Sequence, residues 1–203
     1  MIIDLTVKLD DNTPVYPGDP KPVFKAASQF ETVGYEDYLI FVGNHVGTHI
    51  DAPSHMIKGG KTLDKININT FFGNGICVNT GKDINLEKFK QSSISDGDII
   101  LIRTDMSEVY FEKEYYEEYP AIPKDVAAYL VEKKVKMVGV DMGSVDYEPF
   151  PVHKMFLQNE ILIIENLTNL KALKSKEFKV FALPLNLTID GSPARVIAEI
   201  DDL

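Results

Sequence analysis

Short β-branched and aromatic runs, broken by Pro and Gly, fill the first half of the chain. Such runs predict strands. Residues 2–7 (IIDLTV) open as one, and 14–22 (PVYPGDPKP) end it with prolines and a glycine. Residues 23–30 (VFKAASQF), 35–43 (YEDYLIFVG), 75–81 (GICVNTG) and 97–105 (GDIILIRTD) read as further strands, with a short helix at 86–92 (LEKFKQS). The second half alternates. Residues 123–134 place Ala, Tyr, Leu and Val at helical spacing, with Pro123 at the start and lysines at the end. A strand follows at 135–141 (VKMVGVD), a helix at 151–159 (PVHKMFLQN), a strand at 160–167 (EILIIENL) and a helix at 168–175 (TNLKALKS). Strands at 178–188 and 194–200 close the chain, joined through the turn residues DGSP at 190–193. Strands first, then strand–helix alternation, predict one α/β domain over residues 1–203: a mixed β-sheet core with flanking helices.

Bulk properties narrow the function. The chain has 203 residues, enough for one large domain with a substantial core. A net charge of −10, with acids spread along the sequence, argues against nucleic acid as a partner. No apolar run approaches the roughly 20 residues of a membrane helix, and no basic-then-apolar leader opens the chain, so a cytoplasmic protein is expected. The single cysteine, Cys77, lies between Ile76 and Val78 and reads as a small core residue.

Histidine changes the picture. The chain has four, and three of them, with an aspartate, occupy His45-Val-Gly-Thr-His49-Ile-Asp51-Ala-Pro-Ser-His55. Imidazole nitrogen and carboxylate oxygen suit zinc and also manganese. On one straight strand all four would share a face, but His45 and His55 would then lie ~33 Å apart. Pro53 disfavours a continuous helix. The segment is therefore expected to bend at Gly47 and Pro53, as a tight loop bringing His45, His49 and Asp51 to one ion with His55 on its rim.

This eleven-residue pattern resembles that of the cyclase family of metal-dependent hydrolases, which includes kynurenine formamidase (arylformamidase) and isatin hydrolase. The resemblance extends to the early YPGDP turn, the stretch HKMFLQNEILIIENLTNL and the late DGSPAR. It implies a swivelling β/β/α-type fold and one or two Zn2+ ions per chain, with Mn2+ as the other candidate. His45, His49 and Asp51 would hold the first ion. His153, the fourth histidine, would hold the second, with Asp51 and Glu165 bridging. His55 would stay free as general acid/base. Taken alone, His153 reads as a helix-face histidine; for Glu165 the alternative to a ligand is a strand-end surface acid. An acid ending the apolar run ILII is costly to bury unless a cation meets it. The family usually carries Trp before Pro-Gly-Asp, lying on the substrate's ring; here Tyr16 stands there, and the chain has no Trp. Tyrosine still offers a flat apolar face.

The expected activity is hydrolysis of a C–N bond in a small amide, an aryl formamide such as N-formylkynurenine or a cyclic amide. A metal-activated hydroxide would attack the carbonyl, and His55 would protonate the departing nitrogen. The alternatives are a metal-dependent cyclase or lyase and a non-catalytic metal-binding homologue. A homodimer or higher homo-oligomer is expected. The loop 141–149 (DMGSVDYEP) either brings Asp141, Ser144 or Asp146 near the site or is a polar lead-in to the next helix. Arg195 reads more readily as a structural ion pair than as a substrate-carboxylate anchor.

Overall fold

Ile99, Ile100, Leu101 and Ile102 are all completely buried. Side chains alternate across a strand, so such a strand must be covered on both faces. Ile99 and Leu101 enter one apolar cluster, while Ile100 and Ile102 enter the other. The whole fold follows from this two-layer demand.

The computed structural model describes residues 1–173 and 177–200. In chain order its elements are β1 (Ile2–Asp4), β2 (Val23–Ser28), α1 (Phe30–Val33), β3 (Asp37–Phe41), β4 (His49–Asp51), β5 (Phe72–Asn79), α2 (Leu86–Lys90), β6 (Ile99–Arg103), α3 (Glu114–Glu117), α4 (Lys124–Glu132), β7 (Met137–Val140), α5 (Pro151–Gln158), β8 (Leu162–Glu165), β9 (Phe178–Pro184) and β10 (Gly191–Ile200). The main sheet runs β4-β8-β7-β6-β5-β9-β10 and closes into a barrel, because β10 pairs with β9 along 194–200 and with β4 along 191–193. Strand β1 extends the other end of the β10 edge. Strands β5 to β8 are mutually parallel and the remaining pairs antiparallel. The expected α/β fold, one domain on a mixed sheet with flanking helices, is therefore what the chain adopts.

The barrel interior holds Ile50, Ile99, Leu101, Met137, Leu162, Ile164, Val180 and Val196. The outer face of β6, β7 and β8 is covered by α2, α4 and α5 through Phe89, Val126, Leu130, Phe156 and Leu157. In β8, Leu162 and Ile164 point inward, so Ile163 and Glu165 face outward toward α5.

Several boundaries differ from the sequence expectation. The first strand stops at Asp4, and Thr6 makes only a single bridge to Leu167. The strand expected over 23–30 ends at Ser28, where a helical turn begins that closes on Gly34 in the left-handed region. The helix expected over 168–175 is only a 3-10 turn, Leu170–Leu173; residues 174–175 lie outside the described residues. Asn169, at positive φ, sets the chain off the helical path just before it. The residues read as a DGSP turn mostly belong to β10, since Gly191, Ser192 and Pro193 pair with Asp51, Ile50 and His49. Turn chemistry lost there to sheet closure. No helix among the described residues is long and apolar enough to cross a membrane.

Candidate metal centre

Gly47 adopts a left-handed φ of 66°, a conformation glycine reaches without steric cost. The chain turns there and enters β4, which is a three-residue strand rather than part of the expected tight loop. On β4, Ile50 fills the barrel while His49 and Asp51 share the outward face. Pro53 then starts a 3-10 turn that ends on His55. The bends thus fall at Gly47 and Pro53 as expected, but a sheet pairing carries the centre. His49 lies directly opposite Glu165 in the β4–β8 register. Thr48 locks this junction, donating to the Asn166 carbonyl at 2.6 Å and accepting from Val7 N–H at 2.9 Å.

Helix α5 supplies His153 from above. Its first turn is fastened by Asp146, whose Oδ2 accepts from Val152 N–H at 2.6 Å and whose Oδ1 meets His153 Nδ1 at 2.5 Å. With Nδ1 so engaged, His153 Nε2 faces Glu165 Oε1 at 3.2 Å and Asp51 Oδ2 at 3.8 Å. His49 is oriented the same way. Its Nδ1 bonds the Gly47 carbonyl at 2.8 Å, leaving Nε2 at 3.4 Å from Asp51 Oδ1 and 3.6 Å from Glu165 Oε2. Each carboxylate thus divides its two oxygens between the two imidazoles. His45 adds Nδ1 at 2.7 Å from Asp51 Oδ1.

These donors fit a divalent ion. Asp51 and Glu165 are buried, yet their ion-pair partners among the described residues are histidines only. Unpaired buried carboxylates are costly. Two ring nitrogens are pinned by backbone or carboxylate acceptors, the usual arrangement behind a metal-bound histidine. Burial alone would lower the His45 and His153 pKa values, but the surrounding carboxylates raise them to about 9 and about 10. The cluster therefore attracts positive charge. Ligand atoms of His45, His49 and Asp51 lie within 4.8 Å of one another, as do those of Asp51, His153 and Glu165, and of His45, His55 and Asp190.

His55 stands at the rim, its ring centroid 4.1 Å from that of His45 and 6.2 Å from that of His153. Tyr16 lines the same cavity of about 270 Å3, with Met56, Tyr116, Ser144 and Phe150. The Tyr16 and Tyr116 rings meet edge to face at 5.9 Å. Of the loop acids, Asp146 supports His153. Asp141 turns away, accepting from Thr104 and Asp105; burial outweighs those bonds and lifts its pKa to about 6. Arg195 forms an exposed pair with Asp4 at 2.7 Å, the structural role. Burial pushes the Cys77 thiol up to about 12, which suits a packing residue and not a thiolate nucleophile.

Sequence reasoning missed Asp190, Asn166 and Tyr116. Asp190 Oδ2 lies 2.9 Å from His55 Nδ1 and 3.0 Å from His45 Nε2. Asn166 accepts through Oδ1 from Tyr115 and Tyr116. No local spacing links Asp190 to His55, 135 positions away; only the β10–β4 pairing does.

A closed mixed barrel thus bears a carboxylate–imidazole cluster on its outer face, under one helix, whose donor atoms suit a divalent ion. The Cyclase family model matches residues 3–147, and the chain belongs to that family. It is 37% identical over 199 residues to an uncharacterised protein of Methanocaldococcus jannaschii, covering 97% of this chain and 98% of that one. It is 29% identical over 202 residues to the kynurenine formamidase of Bacillus cereus, covering 96% and 95%. An isatin hydrolase crystallised with the product analogue thioisatinate shares the fold, with a TM-score of 0.87 at 22% identity, covering 97% of this chain and 91% of that one.

Proposed function

We propose that this chain is a metal-dependent hydrolase that cleaves the C–N bond of a small amide, an aryl formamide or a cyclic amide. The observation that carries this reading is the pair Asp51 and Glu165, each dividing its oxygens between His49 and His153. In this reading His45, His49 and Asp51 would hold one ion, and Asp51, His153 and Glu165 would hold a second. Zinc is the ion proposed, with manganese the competitor. Such an ion supplies a Lewis acid that lowers the pKa of water and stabilises negative charge on a carbonyl oxygen.

The protein's own part is positioning and proton transfer. Tyr16, Met56, Tyr116 and Phe150 wall the cavity and hold a flat apolar body. His55 is the proton carrier. Its Nδ1 is engaged by Asp190, and Nε2 has no hydrogen-bond partner among the described residues. Nε2 accepts a proton from the attacking water and returns it to the departing nitrogen, which leaves poorly as an anion. The resemblance to a kynurenine formamidase favours a formamide among the amides. The test is a panel of aryl formamides, lactams and esters with zinc- or manganese-loaded protein. Products whose masses together exceed the substrate's by one water, an amine plus formate from a formamide or a single ring-opened acid from a lactam, support hydrolysis; conversion without uptake of water points to a cyclase or lyase instead.

Tyr16→Ala is expected to raise KM more than it lowers kcat. A ring that stacks away from the bond-making atoms binds ground and transition states about equally. Wild-type kinetics in that variant would remove Tyr16 from the substrate's surroundings.

We also propose that two copies assemble through the β2–β3 hairpin. The register places Phe24, Ala26, Tyr38 and Ile40 on one face of this ribbon and Val23, Leu39 and Phe41 on the other. Ile40 and Phe41 are each 60% exposed. A lone two-stranded ribbon is marginal in water. Phe30, Val33 and Tyr35, next to it in sequence, are also more than half exposed, and contiguous exposed apolar surface marks interaction sites. A second copy of the chain is the occupant always present in equal amount, and twofold homodimers are the commonest assembly. Sedimentation equilibrium is expected to give twice the 22.8 kDa chain mass, and Ile40→Asp with Phe41→Asp to give the single-chain mass. A wild-type chain that sediments alone at micromolar concentration would contradict this.

A further inference from the structure

Asp190 precedes β10 and stands outside the eleven-residue segment that supplies most of the centre. Its surroundings are nonetheless specific. Oδ2 faces His55 Nδ1 at 2.9 Å and His45 Nε2 at 3.0 Å. Oδ1 accepts from Asn44 Nδ2 at 2.9 Å. The Asp190 carbonyl accepts from Ala52 N–H at 2.8 Å, tying the residue to the turn that carries His55. The next residue has no room for a side chain: a Cβ on Gly191 would lie 2.5 Å from His45 Cε1. Sheet pairing, through Gly191 opposite Asp51, therefore fixes where this carboxylate sits.

We propose that Asp190 is the positioning residue of His55: Oδ2 accepts the Nδ1 proton and selects the tautomer whose Nε2 is free to take a proton in the cavity. This rests on the reading of His55 as the proton carrier. The two nitrogens of a neutral imidazole are not equivalent, and the bond made by one decides the state of the other. A carboxylate behind a general-base histidine also stabilises the imidazolium that forms during turnover. The rival role is a further metal set made of His45, His55 and Asp190. Burial argues against it. The Asp190 side chain is 35% exposed and so solvated, whereas Asp51 is 1% exposed and requires a counter-charge.

The experiment compares Asp190→Asn and Asp190→Glu with wild type in three readouts: bound zinc per chain, kcat and KM separately, and the His55 tautomer from spectra of 15N-histidine-labelled protein. In Asp190→Asn the amide can donate to Nδ1 and drive the proton to Nε2. Expected are a shift of His55 from the Nδ1–H to the Nε2–H form, a fall in kcat of roughly 10²–10⁴-fold, little change in KM and zinc retained. Asp190→Glu, which keeps the acceptor, should restore the Nδ1–H form and part of kcat. Loss of zinc in Asp190→Asn would overturn the proposal in favour of a metal role through His45. An unchanged tautomer would overturn it outright. The spectra are recorded on metal-free protein too, so failure of the hydrolase reading and failure of the Asp190 assignment remain separate results.

Discussion

Asp51→Asn is expected to leave a folded protein that binds zinc poorly and has lost at least about 10³-fold in kcat/KM. Asp51 is the only residue common to the His45–His49 and the His153–Glu165 ligand sets. Its Oδ1 faces His45 and His49, and its Oδ2 faces His153. Asparagine keeps the shape on β4 but removes the charge and turns one oxygen into a donor. Both sets then lose an acceptor at once. Glu165→Gln should cost less, because the His45–His49–Asp51 set survives it. Metal stoichiometry beside kcat/KM checks this. Full zinc occupancy in Asp51→Asn would mean that the carboxylate is not a ligand.

The second large effect separates two histidines six residues apart. His49→Ala is expected to lower metal occupancy and activity together. His55→Ala should keep most of the metal and lose roughly 10²–10⁴ in kcat, the usual contribution of a general acid/base. The structure gives the physical ground for the difference. His49 is buried between Asp51 and Glu165, with Nδ1 tied to a backbone carbonyl. His55 sits past the Pro53 turn at the cavity rim, its Nδ1 held by Asp190. Equal loss of metal in both variants would make His55 a ligand and leave the proton transfer without a carrier.

How much of this could be read from residues alone depended on the range of the interactions. The run Ile99–Ile102 announced a strand, and residues 123–134 announced a helix, because those patterns are local. The bends at Gly47 and Pro53 were legible for the same reason. The strand character of His49–Asp51 was not. Three residues carry too short a pattern, and the strand exists through its pairing with β8 and β10. Asp190 was hidden twice over, by its distance along the chain and by a turn-like DGSP context that the closing strand overrode. Asp146 was one of three acids in a polar loop, and only the start of α5 distinguishes it from Asp141. The exposed hairpin was read correctly as two strands, but its lack of any covering layer appears only in three dimensions.

The central claim is that Asp51, Glu165 and their histidines are built to hold a divalent cation. Elemental analysis of protein purified without chelator, repeated after incubation with zinc or manganese and desalting, tests it most directly. The account predicts one or two divalent ions per chain in the wild type and a clear deficit in Asp51→Asn. A wild-type chain that remains metal-free after loading would contradict it.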